Sequence, residues 1–133
     1  MGKVTLNSGT STGLGFNLAL QLSAQEYIVY TTMSNLTKAG FLKERTGNRG
    51  NLRVLALDVL SIEGVQRCVE TVVREQGRID NLVTNTGAGF VKTTEMASDE
   101  ETPTDNGCEL PWVVPSTKAV LSYKCCSARW YPL

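Results

Sequence analysis

Three glycines fall within seven residues near the start of this chain, in Gly9-Thr10-Ser11-Thr12-Gly13-Leu14-Gly15. They separate a short apolar segment, Val4-Thr5-Leu6, from an amphipathic helical stretch running from about Leu14 to Ala24. Gly9 can take a positive φ and turn the chain sharply out of the strand, where a side chain would be strained. Gly13 and Gly15 lack a Cβ, so a pyrophosphate can approach the backbone and the helix can pack close to the sheet. The helix then points unpaired N–H groups and the positive end of its dipole at an anion. Ser11 and Thr12 add hydroxyl donors, and the segment reads as a phosphate-binding loop.

Glycine spacing alone is weak, because Gly, Ser and Thr compose ordinary turns as well. Context strengthens it: the loop follows a strand and opens a helix, and a second apolar strand, Tyr27 to Thr32, completes a β-α-β unit. Alternation continues beyond. Leu36 to Arg45 reads as a short helix ended by the turn-rich Thr46-Gly47-Asn48-Arg49-Gly50, and Leu52 to Leu57 as a third strand. Ser61 offers an N-cap to a helix whose stripe is Ile62, Val65, Cys68, Val69, Val72 and Val73; Gly77 terminates it. Ile79 to Val83 reads as a fourth strand. Repeated strand-helix units with right-handed crossovers predict an α/β fold with a parallel sheet.

The gap of three residues between the first two glycines differs from the one-residue gap of the ordinary dinucleotide fingerprint. The pattern resembles the short-chain dehydrogenase/reductase family, with Ser8-Gly9 in place of its Thr-Gly and Gly13-Leu14-Gly15 in place of its Gly-Ile-Gly. Leu57-Asp58-Val59 is similar to the family's Asp-Val at the end of the third strand, where the aspartate contacts the adenine amino group. Leu82-Val83-Thr84-Asn85-Thr86-Gly87 resembles its Asn-Asn-Ala-Gly, matched at Asn85 and Gly87 but not at Thr84 or Thr86. The resemblance runs from about residue 3 to about residue 97, nearest the hydroxysteroid, retinol and acyl-dihydroxyacetone-phosphate reductase branches.

That resemblance implies a Rossmann-like, partial doubly wound sheet of strand order 3-2-1-4, with the nucleotide beyond the carboxyl ends of the strands. It implies a nucleotide-binding half-domain over residues 1–97 and a diverged, poorly ordered tail over 98–133. The implied cofactor-binding residues are Gly9, Ser11, Thr12, Gly13, Leu14, Gly15, Asp58, Val59, Asn85, Thr86 and Gly87. The implied cofactor is NADP or NAD. The second strand runs out through Tyr30-Thr31-Thr32-Met33-Ser34-Asn35, with neither an acid to repel a 2′-phosphate nor an arginine to grip one. Relatives often carry arginine where Ser34 stands, which tips the expectation slightly to NADP. Lys38 reads as a solvated helix lysine, at most a distant helper.

Past residue 97 the pattern breaks into the charged, proline-containing Ser98 to Gly107. Where the family places a long helix, Pro111 and Pro115 would each delete a backbone donor, and Glu109 falls in the place of the family's asparagine. Val113-Val114 and Thr117 to Leu121 still look like its latter half, and the 113–121 stretch with Trp112, Trp130 and Tyr131 is expected to fold back over the open side of strand 4. The family's catalytic serine and Tyr-x-x-x-Lys pair have no counterpart: Tyr123 has Ser127 four residues on, Lys124 points elsewhere on a helix, and Tyr131 lies at the terminus. The expected catalytic set is therefore none.

Composition narrows the classes further. At 133 residues and 41% hydrophobic content the chain suits one small core, and 13 basic against 13 acidic residues give no net field for nucleic acid or anionic lipid. No apolar run reaches membrane-span length, and no signal sequence precedes the first strand, so the expected compartment is the cytoplasm. With no histidine, and with Cys125-Cys126 adjacent rather than spaced, a metal site is not expected; Cys68 and Cys108 read as ordinary thiols. Two functions remain open: an NAD(P)-dependent oxidoreductase that retains nucleotide binding, or a truncated, non-catalytic homologue serving as a binding or regulatory module or as a non-functional fragment. Expected partners are the dinucleotide and, through the open sheet edge, a second copy or a full-length relative.

Overall fold

The computed structural model describes residues 2–47, 49–85 and 117–121. Among these residues four strands form one parallel sheet in the order β3-β2-β1-β4, with β1 at Val4–Asn7, β2 at Ile28–Met33, β3 at Leu52–Ala56 and β4 at Asn81–Val83. Helix α1 (Gly13–Ala24) joins β1 to β2, α2 (Ala39–Arg45) lies between β2 and β3, and α3 (Ile62–Gln76) joins β3 to β4. After stepping outward from β1 to β3, the chain returns to the far side of β1. That reversal puts α3 on the face opposite α1 and α2.

Each face is filled by alternate strand residues, as the two-residue period of a strand requires. Val4, Leu6 and Tyr30 meet Val65, Cys68, Val69 and Val72 of α3, with Leu57, Ile79 and Val120 closing that core. Val29, Met33 and Leu52 meet Ala19 of α1 and Ala39 and Leu42 of α2. All four residues of β1 are buried, so the central strand is covered on both sides. Residues 117–121 are helical and Val120 is only 4% exposed, so this part of the 113–121 stretch does cover the α3 side of the sheet. Cys68 lies within the same core, where burial pushes its thiol up to about 11.

Several boundaries differ from the sequence expectation for physical reasons. The helix expected over 36–45 starts as a single 3-10 turn, Leu36–Lys38, because the Asn35 side chain accepts hydrogen bonds from the N–H and the hydroxyl of Thr37 at 3.0 and 2.6 Å. The fourth strand begins at Asn81 rather than Ile79: the Asp80 N–H still donates to the Val4 carbonyl at 2.9 Å, but the Val4 N–H donates to the Asp80 carboxylate at 2.8 Å in place of a backbone carbonyl. Ile62, placed on the buried stripe by spacing, is 60% exposed at the first position of α3. Helix α1 is less amphipathic than expected: Ser23 is buried while Leu14 is 80% exposed. Ser61 caps α3 by accepting from the Gly64 N–H at 3.0 Å, and Gly77 ends it in the left-handed region, both as the sequence predicts.

Candidate functional site: a cleft at the carboxyl edge of the sheet

Strands β1 and β2 end at Asn7 and Met33, and β3 at Ala56, so the loops that follow them gather along one edge. There they line a cleft of about 400 Å³, within the range of small-molecule sites. Its walls come from Gly9, Ser11 and Thr12 after β1, Thr32 and Met33 at the end of β2 with Ser34, Asn35 and Lys38 after it, Leu57 to Leu60 after β3, and Asn85 after β4. The order reverses at β1, and such a switch point opens a crevice outside the carboxyl ends of the strands.

Three glycines shape the loop, Gly13 among them at a left-handed φ of 66°. Gly9 turns the chain at φ 65°, the left-handed region that glycine occupies without strain. Gly15 permits a close approach: a Cβ there would stand 2.3 Å from the Gly9 carbonyl oxygen and 2.7 Å from Asn85 Nδ2. The first turn of α1 thus rests directly on the loop. Thr12 at the N-cap is extended and makes no side-chain cap, and no acidic residue occupies that turn. The dipole and the first N–H groups of α1 therefore face the loop without a local anion to neutralise them.

Side chains brace the loop on both flanks. Ser8 continues the β1–β4 pairing beyond the strand, donating from its N–H to the Val83 carbonyl at 3.0 Å, while its Oγ accepts from the Asn85 N–H at 3.0 Å. Asn85 Nδ2 donates to the Gly9 carbonyl at 3.2 Å. On the other flank Thr10 Oγ1 donates to the Thr32 carbonyl at 3.1 Å, and Thr32 Oγ1 donates to the Asn7 carbonyl at 3.3 Å. Beneath α1, Asn7 Nδ2 donates to the Gly15 carbonyl at 3.3 Å. Asp58 is held at the cleft wall by an Asx turn in which its Oδ1 accepts from the Leu60 N–H at 3.0 Å.

The geometry brings together most of the residues singled out by sequence. Gly9, Ser11, Thr12, Asp58, Val59 and Asn85 all line the cleft. Gly13, Leu14 and Gly15 form the first turn of α1 rather than the lining. Thr86 and Gly87 lie outside the described residues, as do Cys108, Glu109, Pro111, Tyr123 and Tyr131. Sequence reasoning missed Leu57 and Leu60 as cleft walls and Thr10 as a brace. Their signal was positional, since each follows the carboxyl end of a strand.

The sequence profile of the short chain dehydrogenase family matches residues 3–120. The chain belongs to the short-chain dehydrogenase family. Its match extends beyond the limit near residue 97 expected from motifs, through the helical turn that carries Val120. The 3-ketodihydrosphingosine reductase of Bacteroides thetaiotaomicron is 35% identical over 121 residues, covering 91% of this chain and 42% of that relative. Retinol dehydrogenase 8 of Bos taurus is 39% identical over 101 residues, covering 72% of this chain and 32% of that one. Among solved structures, the alcohol dehydrogenase of the archaeon Thermococcus sibiricus complexed with 5-hydroxy-NADP aligns with a TM-score of 0.81 at 26% identity, covering 93% of this chain and 54% of that one. This short-chain dehydrogenase chain thus spans about half or less of each of these relatives. Among its described residues no helix is long and apolar enough to cross a membrane.

Proposed function

We propose that this chain forms the dinucleotide-holding half of an NAD(P)-dependent short-chain oxidoreductase. The observation that carries the reading is the Gly9–Gly15 loop set against the uncapped N-terminus of α1 at the sheet's switch point, beside a cleft walled by Asp58, Val59 and Asn85. The residues fit such a group: α1 offers donors and dipole to a pyrophosphate, and the carboxyl ends of β2 and β3 flank the space an adenosine would fill. When bound, the cofactor supplies hydride exchange with a carbonyl or alcohol substrate. The chain's own residues bind and orient it.

NADP is favoured over NAD. The wall at the end of β2, Thr32-Met33-Ser34-Asn35, carries no acid, and among the described residues Lys38 is the one basic side chain lining the cleft. The NADP derivative in the archaeal relative's complex supports the same choice. Titration with NADPH, followed by nucleotide fluorescence, tests both points. Wild type should bind, and Lys38→Glu should weaken NADPH about three- to fivefold while leaving NADH within about twofold. Equal losses for the two nucleotides would reject the NADP assignment.

A second reading, a non-catalytic binding module, rests on the described lining of the cleft, which holds no tyrosine to exchange a proton with a substrate oxygen. Steady NADPH-dependent carbonyl reduction by the purified chain, abolished by Gly15→Leu, would reject the module. The outer edge of β4, unpaired among the described residues, is the surface through which a second copy or a full-length relative would complete the sheet.

A further inference from the structure

The geometry points to Thr10 as a positioning residue for the dinucleotide loop, acting through the main-chain carbonyl of Thr32. The inference rests on the proposed function and adds a residue to it that none of the loop's glycines implies. Pairing between β1 and β2 stops at Asn7 opposite Thr31, where the chain turns away through Gly9. The next carbonyl along β2, that of Thr32, consequently has no β1 backbone to receive. Thr10 Oγ1 takes over that role at 3.1 Å, and both threonines are almost wholly buried.

Four further hydrogen bonds surround that bond and make it a brace rather than an isolated pairing. Thr32 Oγ1 returns a bond to the Asn7 carbonyl at 3.3 Å, so the loop's base and the end of β2 are joined twice. Asn7 reaches under the loop to the Gly15 carbonyl at 3.3 Å, tying the same strand end to the first turn of α1. Across the loop, Ser8 and Asn85 hold Gly9 to β4. The loop is thereby suspended between β2 and β4, and Thr10 supplies the β2 attachment. Ser11 and Thr12 follow it immediately and line the cleft, so a tilt of Thr10 moves the anion-facing backbone directly. Holding donors in place before the ligand arrives removes part of the ordering cost of binding.

The test uses the full chain and three variants. Thr10→Val removes the hydroxyl at nearly equal volume, Thr10→Ser retains it, and Thr32→Val removes the returning bond while leaving the carbonyl. Dissociation constants for NADPH are measured at a temperature where each variant is shown by circular dichroism to be fully folded. Thr10→Val should weaken binding about tenfold, with Thr10→Ser within about twofold of wild type and Thr32→Val between them. Affinity unchanged in folded Thr10→Val would overturn the inference, because a purely structural bond would lower the melting temperature and leave folded-state binding alone. Equal weakening in Thr10→Ser would also overturn it. If wild type binds no dinucleotide, the proposed function fails, and deuterium uptake of the segment 8–16 then decides on Thr10 by itself. Faster uptake in Thr10→Val but not in Thr10→Ser retains the brace, and equal uptake in all three chains discards it.

Discussion

At the scale of single residues, Gly15 and Gly40 make a controlled comparison. A methyl group at Gly15 would collide with the backbone oxygen of Gly9, whereas at Gly40 nothing lies within 4 Å. Gly15→Ala should lower stability by about 1–3 kcal/mol and abolish nucleotide binding, because the loop must open to admit the group. Gly40→Ala, on the exposed face of α2, should raise stability by about 0.5–1 kcal/mol. Urea denaturation of the two variants measures both. Glu26 is the opposite case, a side chain where glycine is preferred: it sits at φ 63° just past α1, in a turn closed by the Tyr27 N–H donating to the Leu22 carbonyl at 3.2 Å. Glu26→Gly should gain about 1 kcal/mol in the same assay, and a loss would contradict this account of the turn. The turn at Gly9 was legible in sequence because glycine marks it. The left-handed Glu26 was not, since glutamate carries no such mark and only the bond to Leu22 reveals the conformation.

At the scale of elements, α3 is fastened to β2 and β3 by a polar cluster that the hydrophobic stripe did not announce. Tyr30 OH donates to Glu75 Oε2 at 2.6 Å and accepts from Arg53 Nη1 and Gln76 Nε2, each at 3.0 Å. Arg53 also pairs with Glu75 and lies over the Tyr30 ring, 5.5 Å from its centre. The hydrogen bond from Tyr30, followed by that from Arg53, lowers the Glu75 carboxyl below its ordinary 4.5. Burial first, and then Glu75, raises the Tyr30 phenol above its ordinary 10.0. Glu75 therefore contributes stability that is present above pH 4.5 and lost as pH falls through its lowered folded value. Tyr30 contributes stability that is present below pH 10.0 and lost as pH rises through its raised folded value. Between those limits this cluster should leave stability flat. Denaturation across pH should show the gap between wild type and Glu75→Gln narrowing on acidification below pH 4.5, and a gap unchanged down to pH 2 would contradict the assignment. Sequence placed Glu75 off the apolar stripe of α3, but its partners lie 45 and 22 residues away, a separation that periodicity does not see. The shortened β4 has a similar origin, because only the fold brings Asp80 to the Val4 N–H.

At the scale of the whole molecule, alternation of strands and helices was enough to predict a parallel sheet, while its order and its binding edge came from the family resemblance carried by the glycine spacing, Asp58 and Asn85. The cleft was legible because the sheet's carboxyl ends collect its walls wherever the individual strands stop. Its braces were less so: Thr10 and Asn7 look like loop and strand residues until β2 is beside them. Val120 was foreseen only as cover, and its burial against the α3 side shows that the core draws on residues far beyond β4.

The central claim is that the Gly9–Gly15 loop holds a nicotinamide dinucleotide, and a thermal unfolding curve of the purified chain with and without millimolar NADP, then NAD, tests it most directly. A ligand that binds only the native state adds about 2.7 kcal/mol at a hundred times its dissociation constant. The account predicts one cooperative transition whose midpoint rises with NADP, rises less with NAD, and does not move in Gly15→Leu. A cooperative wild-type transition at the same temperature with and without either nucleotide would contradict it.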